Sequence, residues 1–549
     1  MRKLLFIVCI TMVTMVHGQY FDAGHEPASL KWYTIDTRYY TLVFPKPFER
    51  EAQQLAAFLD SLSFGIDSTT GFHWKKIPIV LHTGKTISNG FVGWAPGRME
   101  IYTIPPADNY AQRWLEQMGI HEGTHVYQFS RSYQGMTKLL GTLFGEHIPA
   151  AVIGLYFPFW FIEGEAIYNE TKFSYAGRGR DPSFEAGIRT HLTVKEKSWS
   201  YDKAYLGSYK DFVPNYYELG YLLYAYGVEH YGDTLWDRMA DYVARNPWNP
   251  MAFKTALKKY TGCNKTEFYS KAMEDITAAW TLQQQSEHPN ESLSATKKQS
   301  DWQFYRYVQP FEQNRMIAEV TTLDHTRRIV VVNGKRNGKD KTIIHPGYYF
   351  NEGFNYCDGL ICWSEYVPHP RWTAIEYSDI MIYDITSKQK FRITHNERYF
   401  SPVLIPTNSP AVEIFAVRYN ENHTHSIVKT DAYGNVTQTT ELPHGRFASN
   451  LAWWDTKTLL LFTETGAEGK RIATFNPATN TFSAITPWTN ANVSHPKGYG
   501  DTILFAAGFN NINNIFAWHN HQLFQVTDEL FGAFYPAVDK EGSLFFSSY

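Results

Sequence analysis

The residues best equipped for chemistry in this 549-residue chain are His121-Glu122-Gly123-Thr124-His125. On a helix, positions i and i+4 share one face. Two imidazoles so spaced can reach one ion, and the Glu between them can reach a water beside it. Zinc accepts nitrogen and carboxylate donors, and a catalytic zinc site takes three protein ligands and leaves one place for water. The pattern predicts a Zn2+ site with His121 and His125 as ligands and Glu122 as general base. The plain alternative is a solvated helix face that carries two histidines by chance, and a third ligand would decide against it.

The continuation of this motif that ends in a third His is excluded, because Gln128 and Arg131 stand where it needs Gly and His. Trp160-Phe161-Ile162-Glu163-Gly164-Glu165-Ala166 resembles the Trp-Leu-x-Glu-Gly-x-Ala stretch of aminopeptidase-N-like and peptidase-MA-like gluzincins. The resemblance implies Glu163 as third zinc ligand. It also implies that Glu170, two helical turns on, supports a zinc-bound histidine from behind. The interval from His125 to Glu163 is longer than in that family. Glu146 lies nearer the usual interval and is the rival, although Pro149 follows it. Glu165 is expected at the solvated rim of the cleft. Tyr217-Glu218-Leu219-Gly220 resembles the Tyr-Glu-x-Gly stretch of the same enzymes. That implies an oxyanion-stabilising hydroxyl on Tyr217, with Tyr216 as the adjacent alternative. Gly97-Arg98-Met99-Glu100 partly matches their Gly-x-Met-Glu-Asn, with Ile101 in place of the Asn. Glu100 is the corresponding candidate for holding a substrate amine.

These residues need elements to position them. Residues 19–110 read as a β-rich lobe. Tyr39–Phe44 and Ile77–His82 read as strands, Pro47–Leu62 as an amphipathic helix, and Phe91–Thr103 as a hairpin turned at Pro96-Gly97. The hairpin is the expected edge against which a peptide lies as an added strand. Residues 111–284 read as a helical zinc-binding lobe. Its clearest helices are 111–130, 216–231, 234–245 and 266–284. Leu139–Ile162 is apolar, but Glu146, Pro149 and Pro158 argue against a bilayer span. It is expected as buried helix and loop beside the site.

Residues 285–300 are polar and predict a linker. Beyond them, Arg392-Ile393-Thr394, Ala484-Ile485-Thr486 and Gln525-Val526-Thr527 end similar β-rich units. Repeats of roughly 40–50 residues with four short strands suit propeller blades. Residues 301–549 loosely resemble TolB-like propeller repeats. About five blades and part of a sixth are expected, so the propeller is incomplete as given and the natural chain is expected to continue past Tyr549. A β-sandwich is the other fold considered.

Length predicts two to four structural units. The net charge of −3 gives no field that would draw the chain to nucleic acid. Arg2, Lys3 and the apolar run Leu4–Val16 read as a signal peptide over residues 1–18, too short to span a membrane. This predicts export to the periplasm or beyond, with no membrane span after cleavage. Cys357 and Cys362 could bridge one hairpin or stay free. The expected architecture is thus multidomain: an α+β, thermolysin-like metallopeptidase domain and then an all-β propeller. The resemblance implies a secreted zinc metallopeptidase acting on peptides or proteins, with a protein partner on the propeller also considered. A non-catalytic propeller binding protein with a structural zinc, and another zinc hydrolase that cuts cell-wall peptides, are the alternatives.

Overall fold

The computed structural model describes residues 25–70, 76–108, 110–195, 198–285, 302–312, 315–332, 340–406 and 412–549. The expected signal peptide lies outside the described residues, as does the linker 285–300 apart from Gln285.

The first lobe is a five-stranded mixed sheet built from β1 (Trp32–Asp36), β2 (Tyr40–Pro45), β3 (Ile77–His82), β4 (Gly90–Trp94) and β5 (Gly97–Tyr102). Its order is β1-β2-β3-β5-β4, so β4 forms one edge. Helix α1 (Glu49–Thr70) makes the crossover between the parallel strands β2 and β3. Alternating residues Ile77, Ile79 and Leu81 of β3, with Met99 and Ile101 of β5, pack under α1 and under the helix α2 (Trp114–Ser132).

The helical lobe continues through α3 (Gly135–Phe144), α4 (His147–Tyr156), α5 (Phe159–Phe173), α6 (Pro182–Lys195), α7 (Tyr201–Leu206), α8 (Tyr216–Tyr231), α9 (Leu235–Arg245), α10 (Ala252–Thr261) and α11 (Lys265–Gln285). Helix α8 shows why its bounds were readable. Asn215 caps it by accepting from the backbone N–H of Tyr217 and Glu218, the Glu218 side chain returns to Asn215 N, and Gly232 ends it at φ 89°.

One expectation needs correction. The stretch Leu139–Ile162 is helical but only half buried. Thr137, Gly141, Pro149, Val152 and Ile153 face inward, while Leu139, Leu143, Phe144, Leu155 and Phe159 are 53–78% exposed. Two ten-residue helices folded as a hairpin rest one face on the body and leave the other outward. Pro158 separates α4 from α5 with a bend of 98°, and no single described helix is long and apolar enough to cross a membrane.

The second half is a β-propeller. Five four-stranded antiparallel meanders run over 303–344, 355–392, 399–441, 447–484 and 494–525, and a two-stranded sheet follows at 533–548. The innermost strands repeat one irregularity. A bulge places Tyr307, Ser401, Asn450, His495 and Tyr535 at positive φ, all between 48° and 54°. The two-stranded sheet sits between the fifth blade and the first. The Tyr535 ring packs 4.7 Å from His495 and 4.5 Å from Tyr307, and Phe304 stacks on Tyr549 at 4.7 Å. The described cysteines are free, because the hairpin register sets Cys357 opposite Leu360 and Cys362 opposite Asn355.

The two N-terminal lobes rest on the propeller through polar contacts. Glu376 of the second blade takes the Lys85 ammonium at 2.8 Å and the N–H groups of Thr86 and Ile87. Asn492 donates to Asp181 at 2.7 Å, and Arg189 donates to the Asn511 carbonyl at 3.1 Å.

Candidate metal centre

Helix α2 is buried along nearly its whole length and carries His121, Glu122 and His125. Helix α5 crosses it and brings Glu163. His121 Nε2, His125 Nε2 and Glu163 Oε2 form a small triangle with sides of 3.3, 3.3 and 3.5 Å. Ligands about 2.0–2.2 Å from a tetrahedral zinc lie about 3.3–3.6 Å from one another. The triangle has that size, and these residues are the one group of metal-ligating side chains so clustered among the described residues.

The rings are oriented from behind. His121 Nδ1 lies 2.7 Å from Glu170 Oε1, and His125 Nδ1 lies 2.9 Å from Gln128 Oε1. Gln128 is itself fixed, since its amide donates to the Ile162 carbonyl at 2.8 Å and to Glu165 at 2.9 Å. With its NH2 group spent there, Gln128 can only accept at Oε1, so His125 must carry its proton on Nδ1. A proton on His121 Nδ1, donated to Glu170, leaves both Nε2 lone pairs aimed at a carboxylate oxygen. Three such acceptors so close need positive charge among them, a metal ion or a proton.

Glu170 is fully buried. Burial alone would raise its pKa, but the Arg178 guanidinium against it and the His121 hydrogen bond bring it down to about 2. Arg178, from the short turn Arg178–Arg180, was not anticipated, and nothing local in the sequence marks it. Gln128 was anticipated only as a disqualifying residue, although its place three after His125 on the same helix face is a usable signal.

Glu122 is buried, and its Oε2 has no hydrogen-bond partner. Burial raises its pKa above the ordinary 4.5. Gly90 at the start of β4 lies directly beside it; a Cβ there would stand 3.0 Å from Glu122 Oε1. Tyr217 sits on the first turn of α8 with its ring 6.4 Å from that of His121, and the Arg178 guanidinium lies 5.3 Å over it. Burial and the nearby Glu163 charge hold its hydroxyl well above the ordinary 10, so it stays a proton donor. Tyr216 is 41% exposed and packs between Phe159 and the Tyr217 ring, whose centroid lies 4.7 Å away.

Three assigned carboxylates do other work. Glu146 accepts from Gly97 N at 2.8 Å on the turn of the hairpin and is outside the triangle. Glu165 is buried rather than at the rim, held by Arg131 at 3.0 and 3.2 Å, Gln128 and Tyr224. Glu100 lies on β5, one strand in from the edge. Strand alternation turns it away from Met99, Ile101 and helix α2, and its oxygens are taken by His82 at 2.9 Å and Arg98 at 2.5 Å. It is not free to hold an amine.

No family model matches the chain, and no curated protein matches it. Solved structures do. TolB from Acinetobacter baumannii is 13% identical, over 43% of this chain and 57% of that one, with a TM-score of 0.34. A putative TolB from Agrobacterium tumefaciens is 11% identical, over 46% and 92%, with a TM-score of 0.33. The β-propeller domain of the Trilobed protease from Pyrococcus furiosus is 10% identical, over 45% and 92%, with a TM-score of 0.29.

Proposed function

We propose that the chain is an exported zinc metallopeptidase of the gluzincin type, with a thermolysin-like catalytic domain set on a propeller. The observation that carries this reading is the triangle formed by His121 Nε2, His125 Nε2 and Glu163 Oε2, with the buried carboxylate of Glu122, its Oε2 unpartnered, beside it. A purely structural site has no use for that carboxylate. Export rests on the charged and apolar start of the sequence.

A zinc ion bound there would supply a Lewis acid and make water nucleophilic near neutral pH. Glu122, its proton affinity raised by burial, takes a proton from the attacking water and returns it to the leaving nitrogen. Tyr217 donates to the oxygen that gains charge. The free edge of β4 offers main-chain groups to an extended peptide. Because Glu100 is committed to His82 and Arg98, nothing at that position anchors a free amine, and cleavage within chains fits better than removal of N-terminal residues.

Glu122→Gln tests the reading. The amide cannot accept the proton, so the variant should keep zinc and lose peptide hydrolysis. Turnover like that of the unmodified protein would remove the mechanism.

A further inference from the structure

A cavity of about 610 Å³ opens between the first lobe and the propeller. One wall is the loop before β4, with Ile87 and Ser88, and the segment Pro105–Asp108. The other wall comes from the propeller, with Arg327, Tyr348, Phe350 and Phe400. Its size falls in the range of small-ligand sites.

Its position gives it a use. Ser88 lines the cavity, and two residues later a Cβ on Gly90 would stand 3.0 Å from Glu122 Oε1. At about 3.3 Å per extended residue, the two residues from Ser88 to Gly90 span at most roughly 7 Å, so the cavity begins close to the general base, just before β4. The outer edge of β4 pairs with no strand among the described residues. A peptide added there runs past Gly90 directly into the space between the lobes.

Resting on the peptidase reading, we propose that this cavity is a distal substrate site. It takes the part of an extended polypeptide some three to four residues from the scissile bond, and it prefers apolar and aromatic side chains there. The chemistry comes from the walls. Seven of the sixteen lining residues carry proline or aromatic rings, Tyr348 is 63% exposed, and the Phe350 ring stands 5.1 Å from Phe400 at 66°. Arg327 lies over the Tyr349 ring and has no ion pair with a carboxylate among the described residues. The propeller would then set sequence preference rather than serve as a passive base.

The test uses zinc-loaded full-length protein carrying Glu122→Gln, so that peptides bind without being cut. Two fluorescein-labelled peptides share one central sequence, and one is extended by four residues with Phe at the outer positions. Fluorescence anisotropy should show the longer peptide binding about tenfold or more tightly, the return on burying an aromatic side chain. Adding Tyr348→Asp, or separately Phe350→Ser, should shrink that ratio toward one. Equal affinity for both peptides, or a ratio that neither substitution changes, overturns the distal site. A ratio that behaves as expected, while the protein with Glu122 intact cuts neither peptide, keeps the site and refutes the peptidase reading instead.

Discussion

Gly164 and Gly220 cross with their backbones in contact. A Cβ on Gly164 would lie 2.3 Å from the Gly220 carbonyl oxygen, and one on Gly220 would lie 2.1 Å from the Trp160 carbonyl oxygen. Neither can carry a side chain without forcing α5 and α8 apart. Glu163 precedes the first glycine, and Tyr217 precedes the second by less than one helical turn. The glycine crossing is what brings the proposed third metal ligand and the proposed oxyanion donor, distant in sequence, to one site.

Gly220→Ala should therefore destabilise the protein by about 1–3 kcal/mol, the usual cost of overpacking a closed interface. It should also weaken zinc retention, because Glu163 moves with α5. Urea unfolding and metal analysis on the same preparation check both. Unchanged stability would mean that the helices part without resistance, and the account of the crossing would fail.

Tyr217→Phe should lower kcat with little change in KM, since its hydroxyl acts on charge that forms only in the transition state. A loss on the order of 10²–10³ matches one missing oxyanion donor. Steady-state kinetics on a peptide substrate measure it. A negligible effect, with a large one for Tyr216→Phe, would transfer the role.

Much of this site was legible because its signals are local. The helical spacing of His121 and His125 and the Trp160–Ala166 stretch that carries Glu163 each lie within a few residues. Glu165 was misread because a charged residue reads as solvated; the Arg131 that neutralises it comes from another helix. Glu100 was misread because strand alternation within a matched motif turned it to the far face, where His82 waits. Leu139–Ile162 was read as buried because hydropathy does not tell which face of a short helix meets the body. The blade repeat was visible as a period, but the contacts of Glu376 with Lys85, Thr86 and Ile87 join residues nearly three hundred positions apart and leave no local trace.

Glu352 in the propeller gives a prediction on pH. Its Oε2 accepts from the backbone and hydroxyl of Ser401, its Oε1 is buried without a partner, and burial raises its pKa from 4.5 to about 7. The folded protein keeps that proton to about pH 7, whereas the unfolded chain releases it near 4.5. The contribution to stability is full below pH 4.5 and is lost as pH rises to 7. Glu352→Gln, which stays neutral, should gain stability relative to the unmodified protein between pH 5 and 8. Thermal unfolding of both proteins across that range checks the sign, and a gap that does not change with pH would show that the carboxyl is already ionised in the fold.

The central claim is that His121, His125 and Glu163 hold a zinc ion. Metal analysis of the purified protein, beside Glu163→Ala and Glu146→Ala, tests it most directly. The account predicts about one zinc per chain in the unmodified protein and in Glu146→Ala, and clear loss in Glu163→Ala. Zinc kept by Glu163→Ala and lost from Glu146→Ala, or no zinc in any of the three, would contradict it.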